Sequence, residues 1–179
     1  MYAKNQKKLK KLIYGAEIGI FNDMRNLNMA DTGGLRNEKP LTAEQMNLAK
    51  EYAVSLGMPD SRIRFTEYDP TGYWHGWDIL SIGTDVLPLN ERMKEPNSNI
   101  SMRGAIAHEI VGHREANMKG LSQENSLLEE AQASIRAARF APGLGRRERV
   151  DLIKDGLCRL KKLGVSIREV KDVLHINER

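Results

Sequence analysis

The chain has 179 residues, 40% of them hydrophobic and 29% charged, with a net charge of +4. That length supports one ordinary domain with a core, or a domain with an appendage. The single cysteine, Cys158, excludes a disulfide framework and a cysteine-rich zinc site, so any metal must be held by histidine and carboxylate.

The first residues, "KNQKKLKKLIYGAEIGIF", imitate a secretory signal, with lysines followed by an apolar patch. Glu17 interrupts the patch and no small-residue cleavage site follows, so the pattern predicts a basic helix over residues 3–14 instead. No apolar run approaches the ~18 residues of a membrane span. The expected location is the cytoplasm, or a domain of a larger secreted bacterial protein. "NMADTGGLRNEKP" reads as a loop, with Gly33, Gly34 and Pro40 as breakers. Residues 1–40 are therefore expected to be a basic helix and loop, ahead of one domain over residues 41–179.

Thr42 and Gln45 have the spacing of a capping box, Leu41 and Met46 that of a hydrophobic staple, and Gly57 marks the end of the helix they begin. In "SRIRFTEY", Ile63 and Phe65 alternate with arginines, which predicts a strand. "DPTGYWHG" is expected to be a turn and "WDILSIGTDV" a second strand with both faces partly covered. "PLNERMKEPNSN" reads as a loop. Helices are then predicted from about Ile100 to Met118, Ser122 to Phe140 and Glu148 to Leu163. A last one begins in "GVSIREVKDVL", with Ser166 and Glu169 as its capping box. The expected class is α+β: a small antiparallel-containing sheet packed on a helical majority, with a C-terminal helical hairpin. From Arg136 onward there are 12 Lys and Arg against 6 Asp and Glu, while the rest of the chain has 16 against 18. The basic excess thus belongs to the last helices, as a solvated face or a surface for an acidic partner.

The predicted helix at Ile100–Met118 carries "AIAHEIVGHREA". His108 and Glu109 begin as a zinc-peptidase H-E-x-x-H motif would, but the second histidine, His113, comes five residues after the first rather than four. At 3.6 residues per turn, residues five apart differ by about 140° around the axis, too far for two imidazoles to share one ion. A π-bulge absorbs one residue and returns both rings to one face. Gly112 sits where the backbone would have to give, and a helix-interior glycine costs roughly 1 kcal/mol against alanine. A zinc site also needs a third protein ligand and an open position. The next helix offers Glu130, on a side it shares with the small residues Ser134 and Ala137. Glu124 is the second candidate, and Glu129 points further toward solvent.

"HEIVGH" followed by "EEAQAS" resembles the paired signatures of the dipeptidyl peptidase III family. The likeness runs from His108 to Ser134, and Ser134 stands where the family has a further acid. It implies a zincin-like catalytic domain in which His108, His113 and Glu130 bind Zn2+, Glu109 is the catalytic base and Glu129 supports a ligand from behind. The chain's size and layout are also similar to the short zincin-like domains of bacterial polymorphic toxins, which would imply a cognate immunity protein as a partner.

The expected activity is therefore a zinc-dependent peptide-bond hydrolase, a metallopeptidase with a peptide or protein substrate and no membrane partner. Two imidazoles and a carboxylate also suit non-haem iron, but an acid beside the first ligand favours hydrolysis. The strand at Trp77–Thr84 is a candidate to hold an extended peptide. Tyr73, His75 and His175 are candidate transition-state donors. Tyr73, Trp74 and His75 suit core packing or a substrate lip equally. The rival classes are an inactive zincin scaffold and a helical binding module for nucleic acid or protein. The second rests on the helix-turn-helix likeness of "LKKLGVSIREVKDVL", although no Arg- or Lys-rich recognition face is evident and nucleic acid is not expected.

Overall fold

Thr42 opens the first helix through the reciprocal bonds its spacing anticipates. The Gln45 amide donates to Thr42 Oγ1 at 3.2 Å and the Thr42 amide to Gln45 Oε1 at 2.9 Å, satisfying two amides that have no helical partner. This helix, α1, spans Ala43–Ser55, and Gly57 turns the chain out of it at φ +89°. The computed structural model describes residues 35–179. The basic helix expected over residues 3–14, and most of the segment 1–40, lie outside the described residues.

Three short strands follow: β1 (Ile63–Phe65), β2 (Gly72–Trp74) and β3 (Ile79–Ile82). Their order is β1-β3-β2, with β1 parallel and β2 antiparallel to β3. The stretch read as a turn, "DPTGYWHG", thus contains a strand. Its three residues are too few to show a period, and the turn residues around them set the expectation. The second expected strand shrinks to Ile79–Ile82. Trp77 lies before it in the connection, and Thr84–Val86 after it forms a 3-10 turn. As the middle strand, β3 is covered on both faces: Leu80, Ser81 and Ile82 are all buried. Both its edges are used in pairing, so β3 has none free for a peptide, which corrects the expectation placed on Trp77–Thr84.

Ser101 caps the next helix, accepting from the Gly104 amide at 3.0 Å. The chain passes without a break from α2 (Met102–Ala107) through a π-helical segment (His108–Arg114) into α3 (Glu115–Met118). Gly120 ends the run at φ +65°. The following helix, α4, spans Ser126–Phe140. It starts later than the expected Ser122 because the buried Asn125 side chain takes the cap, accepting from the Leu128 amide at 3.1 Å. α5 (Arg146–Lys162) begins beside Gly145, whose amide donates to Glu148 at 2.7 Å. α6 is a single turn, Ile167–Val170, with the expected bond from the Ser166 amide to Glu169 at 2.8 Å. The C-terminal segment then packs on α4. Val170, Leu174 and Ile176 are buried, and Gln132 and Arg136 of α4 donate to the carbonyls of Leu174 and His175.

The class is α+β, with helix predominating. Two apolar clusters flank the segment that carries the histidines. Ile106 and Ile110 face α1 and the sheet with Ala49, Ala53, Leu80 and Ile82. Ala107 and Val111 face α4 and α5 with Ala137, Ala138 and Leu152. Two adjacent i, i+4 pairs thus bury two sides of one helix and leave it little freedom to roll. Arg36 ties down the loop leading into it. Its guanidinium donates to the carbonyls of Asp85, Val86, Asn97 and Ile100.

Candidate metal centre

The π segment decides the geometry of the site. Over His108–Arg114 the helix widens, and the five-residue spacing of His108 and His113 becomes a same-face spacing. Their Nε2 atoms lie 3.0 Å apart and their rings meet edge to face. Glu130 of α4 completes the group, with Oε2 3.3 Å from His108 Nε2 and Oε1 3.5 Å from His113 Nε2. One ligand atom from each of the three residues lies within 4.8 Å of the others, a spacing that could hold a metal ion.

Gly112 matters for a reason other than the bulge. A Cβ there would lie 2.6–2.7 Å from Ala133 of α4, against its carbonyl oxygen, Cα and Cβ. The glycine lets the π segment rest directly on α4, and that contact brings Glu130 and Ser134 up to the histidines. Gly156 does the same for α5. A Cβ there would come within 2.7 Å of Ile135 and 3.2 Å of the Ala131 carbonyl. The two glycines therefore draw the histidine helix and α5 close against α4.

α5 then supplies contacts behind His108 and Glu130. His108 Nδ1 is 3.0 Å from Ser134 Oγ, which donates to Asp155 Oδ2 at 2.6 Å. Arg159, one turn after Asp155, donates to the same oxygen at 2.8 Å and pairs with Glu130 Oε2 at 3.2 Å. The chain of contacts closes on itself: His108, Ser134, Asp155, Arg159, Glu130. Ser134 thus supplies a contact behind His108. The sequence reading missed Asp155 and Arg159. Leu152, Gly156 and Leu160 mark one buried stripe of α5, and these two charges, four residues apart, lie along it. Charges within an apolar stripe were the available signal.

The electrostatics favour a positive charge between the rings. The His108 and His113 Nε2 atoms face each other at 3.0 Å with the Glu130 carboxylate beside both, so a proton or a bound cation there is favoured over two bare lone pairs. Burial pushes His113 down, but Glu130, Glu109 and Glu129 outweigh it and hold its pKa up to about 9. Burial alone would raise Glu130, yet the two histidines hold it well below the usual carboxylate range.

Glu109 faces the sheet. Its Oε2 accepts from the Tyr73 amide at 2.8 Å. That amide points away from β3, because β2 is an edge strand with one side free. Burial raises the Glu109 pKa, and the histidines and the Tyr73 amide partly offset it.

The remaining expected residues divide. Glu129 approaches His113 Nδ1 at 3.9 Å, too far for a hydrogen bond. Glu124 is exposed and precedes the cap of α4, outside the His–His–Glu group. Tyr73 lends the site its amide, while its hydroxyl donates to Asp78 at 3.0 Å. Asp78 in turn forms a two-pronged pair with Arg114, at 2.6 and 3.2 Å. Trp74, His75 and Trp77 are exposed, with the indole centroids 6.2 Å apart, so they are not core. The His175 carbonyl is bound by Arg136 on the C-terminal side of α4. Cys158 is half-buried on α5. Among the described residues no helix is long and apolar enough to cross a membrane.

Compared with protein-family models, curated proteins and solved structures, the chain finds no significant match.

Proposed function

We propose that this chain is a zinc-dependent metallopeptidase of zincin-like build, with Glu109 as its general base. One observation carries the reading: Glu109, the residue after His108, has its carboxylate fixed by a strand-edge amide beside the His108–His113–Glu130 group. A divalent ion bound by those three residues would supply Lewis acidity, bringing the pKa of a water toward ~7 and polarising a carbonyl. With Oε2 tied to Tyr73, Glu109 uses Oε1 to take a proton from the attacking water and pass it to the leaving amine. Its raised pKa suits a base that must also give its proton back. Oxygen chemistry on iron has no use for such a base, which favours zinc.

The peptide substrate fits the sheet side. The outward amide of β2 is already held by Glu109, and the exposed Trp74 and Trp77 offer apolar surface beside it for an extended chain.

The test is elemental analysis of the purified protein beside His113→Ala. The expected result is about one zinc per chain, lost in the variant. Glu109→Gln should keep the metal and lose about 10²–10⁴-fold in hydrolysis of a peptide library. Wild type without stoichiometric metal would end the proposal. Metal without hydrolysis of any peptide would leave the idle scaffold as the better reading.

A further inference from the structure

We infer that Asp155, acting through Ser134, sets the proton position and orientation of His108 and thereby the metal affinity of the site. The inference rests on the metal-binding reading above and concerns two positioning residues that the ligand motif does not contain.

The argument begins with burial. Asp155 is 3% exposed and Ser134 fully buried. A carboxylate this deep is retained only with partners, and Asp155 has two on one oxygen, the Ser134 hydroxyl at 2.6 Å and Arg159 Nε at 2.8 Å. A serine hydroxyl holds one proton and has two candidate acceptors here, Asp155 Oδ2 and His108 Nδ1. An ionised carboxylate has no proton to give, so it takes the hydroxyl's, and the serine oxygen accepts from the imidazole. The order is Asp155 carboxylate, Ser134 hydroxyl, His108 Nδ1–H, so a neutral His108 has its lone pair on Nε2, the atom that would bind the ion. With the acidic end removed, the hydroxyl can turn and donate to Nδ1. A neutral His108 would then carry its proton on Nε2, the atom that must bind the ion.

Arg159 couples the relay to the third ligand. It bridges Asp155 and Glu130, so one α5 turn fixes a ligand on each of two other helical segments. Partners behind a ligating histidine typically contribute 10–100-fold to metal affinity.

The experiment measures Zn2+ affinity by chelator competition, and the visible spectrum of the Co2+-loaded protein, for wild type, Ser134→Ala, Asp155→Asn and the double variant. Melting of each protein in chelator serves as the folding control. Ser134→Ala is expected to weaken Zn2+ by about 10–100-fold and Asp155→Asn by about 10-fold, each with an altered Co2+ spectrum. Both act along one chain of hydrogen bonds, so the double variant should lose less than the product of the single losses. A purely structural role would lower the melting temperature in chelator, leave the Co2+ spectrum alone and give losses that multiply. That pattern overturns the inference, as does a Ser134→Ala protein that binds Zn2+ like wild type. Ser134→Ala removes a single oxygen and decides the matter alone if Asp155→Asn does not fold. Wild type that binds neither ion would overturn the metal reading itself, an outcome distinct from wild type that binds and variants that bind equally well.

Discussion

The two sides of the histidine helix hold the site by different means. On the helical side, α4 and α5 fix His108 and Glu130 through side chains: Ser134, Asp155 and Arg159, brought within reach by two glycine contacts. On the sheet side, Glu109 is fixed by a backbone amide, that of Tyr73. Side-chain support can be dismantled one residue at a time, with graded effects on the ion. Backbone support survives most substitutions at its own position. The His–His–Glu group and the proposed base should therefore respond to mutation separately, and substitutions at three positions probe the two sides.

The largest effect is expected from Gly112→Ala. The new methyl would sit 2.6–2.7 Å from the Ala133 backbone and Cβ, and a helix backbone cannot give way as a long side chain does. Separation of the π segment from α4 should cost on the order of 3 kcal/mol. It should also weaken metal binding, since Glu130 and Ser134 stand on the far side of the contact. Thermal melting and chelator competition would show both. Unchanged melting would mean that the helices tolerate a wider gap and that the glycine serves only the bulge.

On the sheet side the informative substitution is Tyr73→Pro. It deletes the amide that holds Glu109. Because that amide faces away from β3, no sheet hydrogen bond is lost, and proline is tolerated on such an edge. Peptide hydrolysis should fall by at least about 10-fold with zinc content unchanged. Tyr73→Ala, which keeps the amide and removes the ring, should lose less. Equal losses in the two variants would show that the ring, and not the backbone, positions the base.

The same division explains what could be read before the structure. The α1 capping box, the α+β class and the widened turn between His108 and His113 are local, and spacing alone indicates them. Glu130 could be placed because small neighbours marked its side of α4. β2 was hidden because three residues cannot display a period, and its role depends on an amide that every residue but proline possesses. The Ser134–Asp155 contact joins residues 21 apart, and no spacing rule relates them. Asx capping at Asn125 won over the earlier polar residues, which moved the start of α4. What escaped the sequence was the support behind and beside the His–His–Glu group, because it exists only once separate elements meet.

The smallest expected effect concerns the pair that anchors the β2–β3 connection to the histidine helix. Asp78 sits at φ +51°, a conformation that asparagine also adopts readily, so Asp78→Asn removes the charge without straining the turn. Its hydrogen bonds to Arg114 hold the carboxyl below its ordinary 3.8, against a smaller opposing effect of burial. A carboxyl whose pKa is lowered by folding contributes stability that is fully present above 3.8 and is lost as pH falls through the folded value. The side chain is 36% exposed, so solvent screening limits the contribution to about 1 kcal/mol or less. Melting of wild type and Asp78→Asn in the presence of a chelator should differ at about pH 6 and converge only as pH falls through the lowered folded value, where the Asp78 carboxyl becomes neutral. A gap that persisted at acid pH would trace the pairing to shape, and the sheet side would then be held to the histidine helix by geometry alone.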